Sequence, residues 1–272
     1  MEKKAVVLKL GGSLLTDKSN PYTLRENTLK VVAHEIKECI DLGLIEDLVI
    51  IHGVGSFGHP PVLKHNLHKG FRNPDQLKKL SKTQHIVNSY RSEIAKNLLD
   101  VGIPVNLMHT SSLLTGNAMR ITDYSLNALK GFLSLGMVPL IGGDMMYDDK
   151  MGFSVCSGDQ IATIITREIG AEMLIFATDV PGIYNKDPKR NPDAVLIKKI
   201  NVNGIEKLLN SKESFVQVDA SGGMKGKLMS LIPVTDMLKI GLKVFIISMM
   251  KSGTLRSLLQ REEIDLTEVI FN

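Results

Sequence analysis

The chain has 272 residues, 43% of them hydrophobic and 23% charged, and a net charge of +4. That length supports a large core, and the composition is that of a globular protein, not a disordered or fibrous one. Lysines are scattered without blocks, no apolar run approaches the ~20 residues of a membrane helix, and no signal-peptide pattern follows Met1, so a cytoplasmic protein with no nucleic-acid or membrane partner is expected.

The elements alternate. Ala5 to Leu10 is an apolar run containing Lys9, closed by the turn Gly11-Gly12-Ser13. Thr23 and Glu26 form a capping box before a helix with Leu29, Val32, Ile36 and Ile40 on one face, stopped at Gly43. Leu48 to Ile51 reads as a buried strand, and the glycines at 53, 55 and 58, with His59 and Pro60-Pro61, read as a turn. A longer helix starts at Asn73-Pro74-Asp75 and runs to about Asp100. Its register, Leu77, Leu80, Gln84, Val87, Ile94, Leu98, is amphipathic but interrupted. Ile103 to Met108 is a strand, Asp123 to Leu135 a helix, and Val138 to Ile141 a strand running into Gly142-Gly143-Asp144. Met145 to Cys156 reads as a hairpin, and Ser157 with Gln160 as a second capping box. Met173 to Ala177 and Val244 to Ile247 are further buried strands. Between them lie a polar loop from Asn185 to Ala194 and a helix opened by Gly222-Gly223. Cys39 and Cys156 sit in apolar patterns without metal spacing and read as reduced core thiols. The alternation predicts an α/β fold, an open three-layer αβα sandwich around a mostly parallel sheet. One domain is expected over 1–272, with a soft lobe boundary near residue 144.

The polar signals fall at strand ends, where ligands bind in open α/β sheets. Gly53 to Gly58 matches the dinucleotide spacing G-x-G-x-x-G, but Pro60-Pro61 are expected to interrupt the helix that this fingerprint requires, and no second strand follows at the right distance. The chain has no P-loop, so bound phosphates must be neutralised by separate lysines. Lys9, Lys18 and Lys227 are the candidates, each beside a glycine turn. Lys9 is the sharpest of these, because an ammonium inside an apolar strand needs a partner. Gly11, Gly12, Gly222 and Gly223 offer amide donors to anions. Asp159 sits in a first helical turn, while Asp144 and Asp179 follow buried strands, where a carboxylate needs a reason such as positioning lysines or metal-bound water. His59 would hold a phosphorylated acceptor against ATP. A protein that binds ATP without catalysis is the competing class, although it would have no need of Lys18 and His59 together.

KLGGS at Lys9–Ser13, SGDQ at Ser157–Gln160, ATDVPGIY at Ala177–Tyr184 and GGMKGK at Gly222–Lys227 resemble the amino acid kinase superfamily. HGVGSFGHP at His52–Pro60, with Lys18, resembles its isopentenyl phosphate kinases; the fosfomycin kinases share much of the pattern and rank second. The resemblance implies phosphoryl transfer from Mg2+-bound ATP to isopentenyl phosphate in isoprenoid biosynthesis, by a homodimer with no dedicated protein metal site. It implies that Lys9 and Lys227 hold the transferring phosphates and that Asp159 orients both. Lys18 would stabilise transition-state charge, and His59 would bind the acceptor phosphate. Gly11, Gly12, Ser13, Gly55, Gly222 and Gly223 would contact ATP, bordered by Asp179, Tyr184 and Lys186. Val54, Gly55, Gly143 and Asp144 would contact the acceptor. The match thins between His65 and Leu114, where the family builds the pocket for the hydrocarbon tail, and His109 stands where a less polar residue is expected. Tail length is therefore open.

Overall fold

The computed structural model describes residues 5–17, 19–188, 190–204 and 229–271. Strand β1 (Ala5–Leu10) is buried along its whole length, and its side chains alternate between two cores. Val6, Leu8 and Leu10 join the core made with α2 (Glu26–Asp41), α4 (Asp75–Asp100) and α9 (Thr254–Leu259). Val7 joins the core made with α6 (Asn127–Ser134) and α7 (Gly158–Ile169). The two-residue period of a strand thus sets helices on both faces, and it directs Lys9, in step with Val7, toward α7.

The central sheet has eight strands. From one edge to the other they are β12 (Lys199–Asn201), β14 (Thr267–Ile270), β13 (Lys243–Ser248), β9 (Met173–Thr178), β1, β2 (Asp47–His52), β6 (Val138–Gly142) and β3 (Val105–Leu107). The six strands from β13 to β3 run parallel; β14 is antiparallel to β13. The fold is the expected three-layer α/β sandwich with a mostly parallel sheet. The chain leaves β1 toward β2 and later returns to β9 on its other side, so β1 marks the point where strand order reverses. Lys9 is level with Ile51 of β2 and Phe176 of β9. A smaller sheet, β5 (Arg120–Tyr124), β4 (Leu114–Asn117), β7 (Asp144–Asp148) and β8 (Gly152–Cys156), lies beyond the end of β6.

Four local expectations are corrected. Residues Gly55–Lys64 form a helix, α3, that runs through Pro60 and Pro61. Proline removes the helical donor to the carbonyl four residues back, and here the Ser56 carbonyl accepts from the Tyr22 amide instead, at 3.1 Å. The stretch read as one helix from Asp123 splits: Arg120–Tyr124 is strand β5, and α6 begins at Asn127. The strand read from Ile103 shrinks to Val105–Leu107. Neither capping box closes. Helix α2 starts after Arg25 without a side-chain cap. Ser157 does cap α7, but the Gln160 side chain reaches across to Met119 and Ile121 of the β4–β5 hairpin.

Candidate active site

Lys9 meets its partner across the site. Its Nζ lies 2.8 Å from Asp159 Oδ1, and both side chains are nearly buried, at 9% and 12% exposure. Asp159 occupies the first turn of α7 because the Ser157 hydroxyl accepts its amide at 3.2 Å. The strand places the cation, and the capped helix places the anion.

The turns after β1 and β2 interlock above this pair. The Gly11 amide donates to Ala177 O at 2.7 Å, and the Gly53 amide donates to Leu10 O at 2.8 Å. A Cβ on Gly12 would fall 2.4 Å from the Gly55 nitrogen. One on Gly55, which has φ +46°, would fall 2.1 Å from Thr16 Oγ1. These two glycines are required by the contact of turn against turn. Thr16 and Ser56, absent from the sequence-based site, stitch the turns together: Thr16 Oγ1 donates to Gly12 O at 2.7 Å and accepts the Ser56 amide at 2.9 Å. Gly12 and Ser13 begin the short helix α1 (Gly12–Leu15), so their amides have no acceptor within it.

On the other side of Val54 lies an apolar cleft. Val54, Gly58, His59 and Val62 line it from α3 and its approach, Thr83 and Val87 from α4, and Asp144, Met145, Val155 and Cys156 from the smaller sheet. Helix α3 brings Val54, Gly58 and Val62 onto one face at four-residue spacing, with His59 alongside. Beyond Met145 a wider groove of about 440 Å³ opens, walled by Phe71, Leu77, Leu80, Tyr147 and Phe153.

Behind the cleft is a buried polar network. His52, fully buried, accepts from Arg91 Nε at its Nε2, at 2.8 Å. An arginine can only donate, so the imidazole proton is on Nδ1, which faces Gly53 O at 3.3 Å. Burial first, and then the Arg91 guanidinium, hold the His52 pKa well below its ordinary value, and the ring is neutral. Arg91 Nη1 donates to Asn88 Oδ1 at 2.8 Å, and Nη2 pairs with Asp144 Oδ2 at 3.2 Å. Burial raises the Asp144 pKa, opposed by Arg91 and by the Met145 amide, which donates to Oδ1 at 2.8 Å. Arg91 escaped the sequence reading. The signal was there, because position 91 is where the apolar stripe of α4 breaks off between Val87 and Ile94.

The structure therefore gathers Lys9, Gly11, Gly12, Ser13, Val54, Gly55, Gly143 and Asp159 at the ends of β1, β2 and β6, with His59 and Asp144 along the cleft. Gly143 donates its amide to His52 O at 3.0 Å. Asp179 follows β9. Tyr184 lies in the β10–β11 hairpin (Ile183–Tyr184 with Leu196–Ile197), and burial, aided by the Asp265 carboxylate, raises its pKa. Lys186 pairs with Asp193 in the connecting loop, not with the Lys9 cluster. Lys18, Gly222, Gly223 and Lys227 lie outside the described residues. Among the described residues no group of three or more His, Cys, Asp or Glu could hold a metal ion.

Comparison with known proteins gives this site its setting. Residues 4–248 match the amino acid kinase family. The isopentenyl phosphate kinase of Methanothermobacter thermautotrophicus is 32% identical over 97% of this chain and 98% of its own. That of Methanocaldococcus jannaschii is 33% identical over 82% of this chain and 84% of its own. An X-ray structure of an isopentenyl phosphate kinase superposes with a TM-score of 0.80 at 28% identity, covering 97% of this chain and 99% of that one. With the family match spanning most of the sequence and the Lys9–Asp159 pair set at the strand ends, the chain belongs to the amino acid kinase family and is a phosphotransferase.

Proposed function

We propose that this enzyme transfers the γ-phosphoryl group of ATP to isopentenyl phosphate, giving isopentenyl diphosphate for isoprenoid biosynthesis. The observation that carries this is the small cleft of about 20 Å³ that His59 lines with Val54, Val62, Val87, Met145 and Val155, which meets the larger groove at Met145, while Val54 also lies against Gly12 and Gly143. Thr83 donates its hydroxyl to Lys79 O and Asp144 is held by Arg91, and the rest of the lining, Val62, Val87, Met145 and Val155, is apolar and suits a hydrocarbon tail better than a sugar. His59 lies in the early turns of α3, whose N-terminus also favours an anion.

Phosphoryl transfer mostly needs positioning and charge stabilisation. Lys9 would turn from Asp159 toward the bridging phosphates, with Asp159 keeping the ammonium in place. Lys227 and Lys18 are carried in the proposal by family likeness, as the partner of Lys9 and the transition-state cation. The Gly11 to Ser13 turn and Gly222-Gly223 would cradle the ATP phosphates, with Asp179, Tyr184 and Lys186 bordering the nucleotide. Residues 1–144 would then carry the acceptor and 145–272 the nucleotide, with Lys9 and its turn reaching across to the second half. Mg2+ binds chiefly through substrate phosphates, waters and one or two carboxylates. Asp159, in the first turn of α7, and Asp179, after β9, would suit that sparse demand, and the ion would neutralise charge on the phosphates.

A cytoplasmic setting is part of the reading, supported by Cys39 and Cys156, both buried and unpaired, with burial pushing the Cys39 thiol up to about 12. So is a homodimer, supported by the open edge of β3 and the exposed Leu107; a single-chain mass by light scattering would reject it. A longer prenyl phosphate is the second reading, favoured by the groove beyond Met145, which is in the size range of small-molecule sites, ~300–1,000 Å³.

The test is ADP release with isopentenyl, dimethylallyl and geranyl phosphates, fosfomycin and acetylglutamate. Preference for a short prenyl phosphate is expected; geranyl phosphate as best acceptor would select the second reading. His59→Ala should raise the acceptor KM or remove turnover, since a charge-assisted bond is worth ~1.5–3 kcal/mol. Unchanged kinetics in that variant would take His59 out of the site.

A further inference from the structure

We propose that Arg91 is a positioning residue for the acceptor phosphate: it neutralises Asp144 on the cleft wall and fixes the two turns that form the cleft's inner end. The proposal rests on the reading of the acceptor as a phosphate.

Arg91 is the largest fully buried side chain of the described residues. Burying an ion pair is costly, and apolar replacement is often neutral or better for stability, so stability alone does not explain a guanidinium here. Its contacts do. Nε holds His52, the last residue of β2, and Nη2 holds Asp144, the first residue of β7. The His52 ring lies flat against Gly142: a Cβ on that glycine would approach it to 2.3 Å. The other ring nitrogen faces Gly53 O. One guanidinium thus ties the Gly53–Val54 turn to the Gly142–Asp144 turn, and both turns face the acceptor. A planar fork with fixed donors suits this task, and an ammonium does not.

The charge matters as much as the geometry. Asp144 lines the cleft beside His59. An unpaired carboxylate there would repel an incoming dianion. Arg91 sits on the protein side of Asp144 and cancels that charge without projecting into the cleft, so His59 is left to meet the phosphate. His109, the unexpected histidine, adds a weaker favourable field at Asp144.

The experiment measures KM for isopentenyl phosphate and for Mg·ATP separately, with thermal melts, in Arg91→Met, Arg91→Lys and the double variant Arg91→Met/Asp144→Asn. Arg91→Met should raise the acceptor KM tenfold or more while the ATP KM stays within twofold. The double variant should recover part of that loss, because the unpaired charge has gone while the tie between the turns stays broken. Arg91→Lys should fall between. If Arg91→Met does not fold, Arg91→Lys decides: it keeps a charge opposite Asp144 but loses the fork, so an acceptor KM raised a few-fold with an unchanged ATP KM supports the proposal, and wild-type values of both overturn it. Equal rises in both KM values, a change confined to kcat and melting temperature, or no rescue in the double variant would overturn the proposal. Failure of the wild type to use any phosphate acceptor would instead overturn the functional reading.

Discussion

Lys9–Asp159 and Arg91–Asp144 are both nearly buried ion pairs beside the strand ends, yet they are held in different ways. Lys9 is a point charge on a flexible stem, paired among the described residues with Asp159 at 2.8 Å. Arg91 is locked by three acceptors on three different residues. An ammonium on a flexible stem can turn from a carboxylate to a phosphate; a forked guanidinium with every arm engaged cannot. The first pair is suited to exchange partners during a reaction, and the second to keep a wall in place. Burial and an opposite charge are therefore not enough to mark a working residue. What distinguishes the two is how many other groups restrain the cation.

The sharpest way to break this comparison is Lys9→Met. It should lower kcat/KM by ~10²–10³ or more, as loss of a preorganised charge does, and it takes the Lys9 ammonium from the nearly buried Asp159 carboxylate, at a cost of up to ~3–5 kcal/mol. In Lys9→Met/Asp159→Asn the stability should return while the activity does not. Recovery of both would make Lys9 another structural partner, like Arg91.

A smaller effect tests whether the glycines above Lys9 serve packing. Gly55→Ala forces a Cβ onto Thr16 Oγ1 at a positive φ, and overpacking of this kind costs ~1–3 kcal/mol. Melting should fall by ~2–4 °C per kcal/mol for a chain of this size. Gly131→Ala, in helix α6 with nothing within 4 Å of the new Cβ, should instead gain up to ~1 kcal/mol. Equal melting temperatures in the two variants would refute the interlocked-turn account.

A third buried carboxylate sharpens the contrast further. Asp148, at the β7–β8 turn, is satisfied by amides: those of Ala118, Met119, Lys150 and Met151 lie at 2.8–3.0 Å. Burial raises its pKa, but the Met119 amide, then the Ser154 hydroxyl and the Met151 and Ala118 amides, outweigh that and hold it at about 2. A depressed carboxylate stabilises the fold above its unfolded pKa, and the contribution fades as pH falls from ~4 toward 2. The shift from 3.8 to about 2 corresponds to about 2 kcal/mol. Asp148→Asn should lower stability at pH 7, and the gap to wild type should close near pH 2. A gap independent of pH would mean that the carboxylate charge does not matter.

The sequence by itself determined the strands, as short apolar runs. It also determined the three-layer class, through their alternation with helices, and the candidacy of Lys9, because a cation in an apolar strand demands a partner. It marked the turns, since Gly11-Gly12 and Gly53 to Gly55 follow strands directly. What only the tertiary structure decided were the partners, because each is supplied from far along the chain. Lys9 finds Asp159 150 positions on. The helix through Pro60 and Pro61 stands because Tyr22 takes the Ser56 carbonyl, and local pattern cannot show a donor that arrives from 34 residues upstream. Arg91 falls where the amphipathic stripe of α4 breaks off, and only the fold brings His52 and Asp144 onto it. Periodicity records which face of an element is buried; which charges meet there is fixed by the packing of elements that the sequence holds apart.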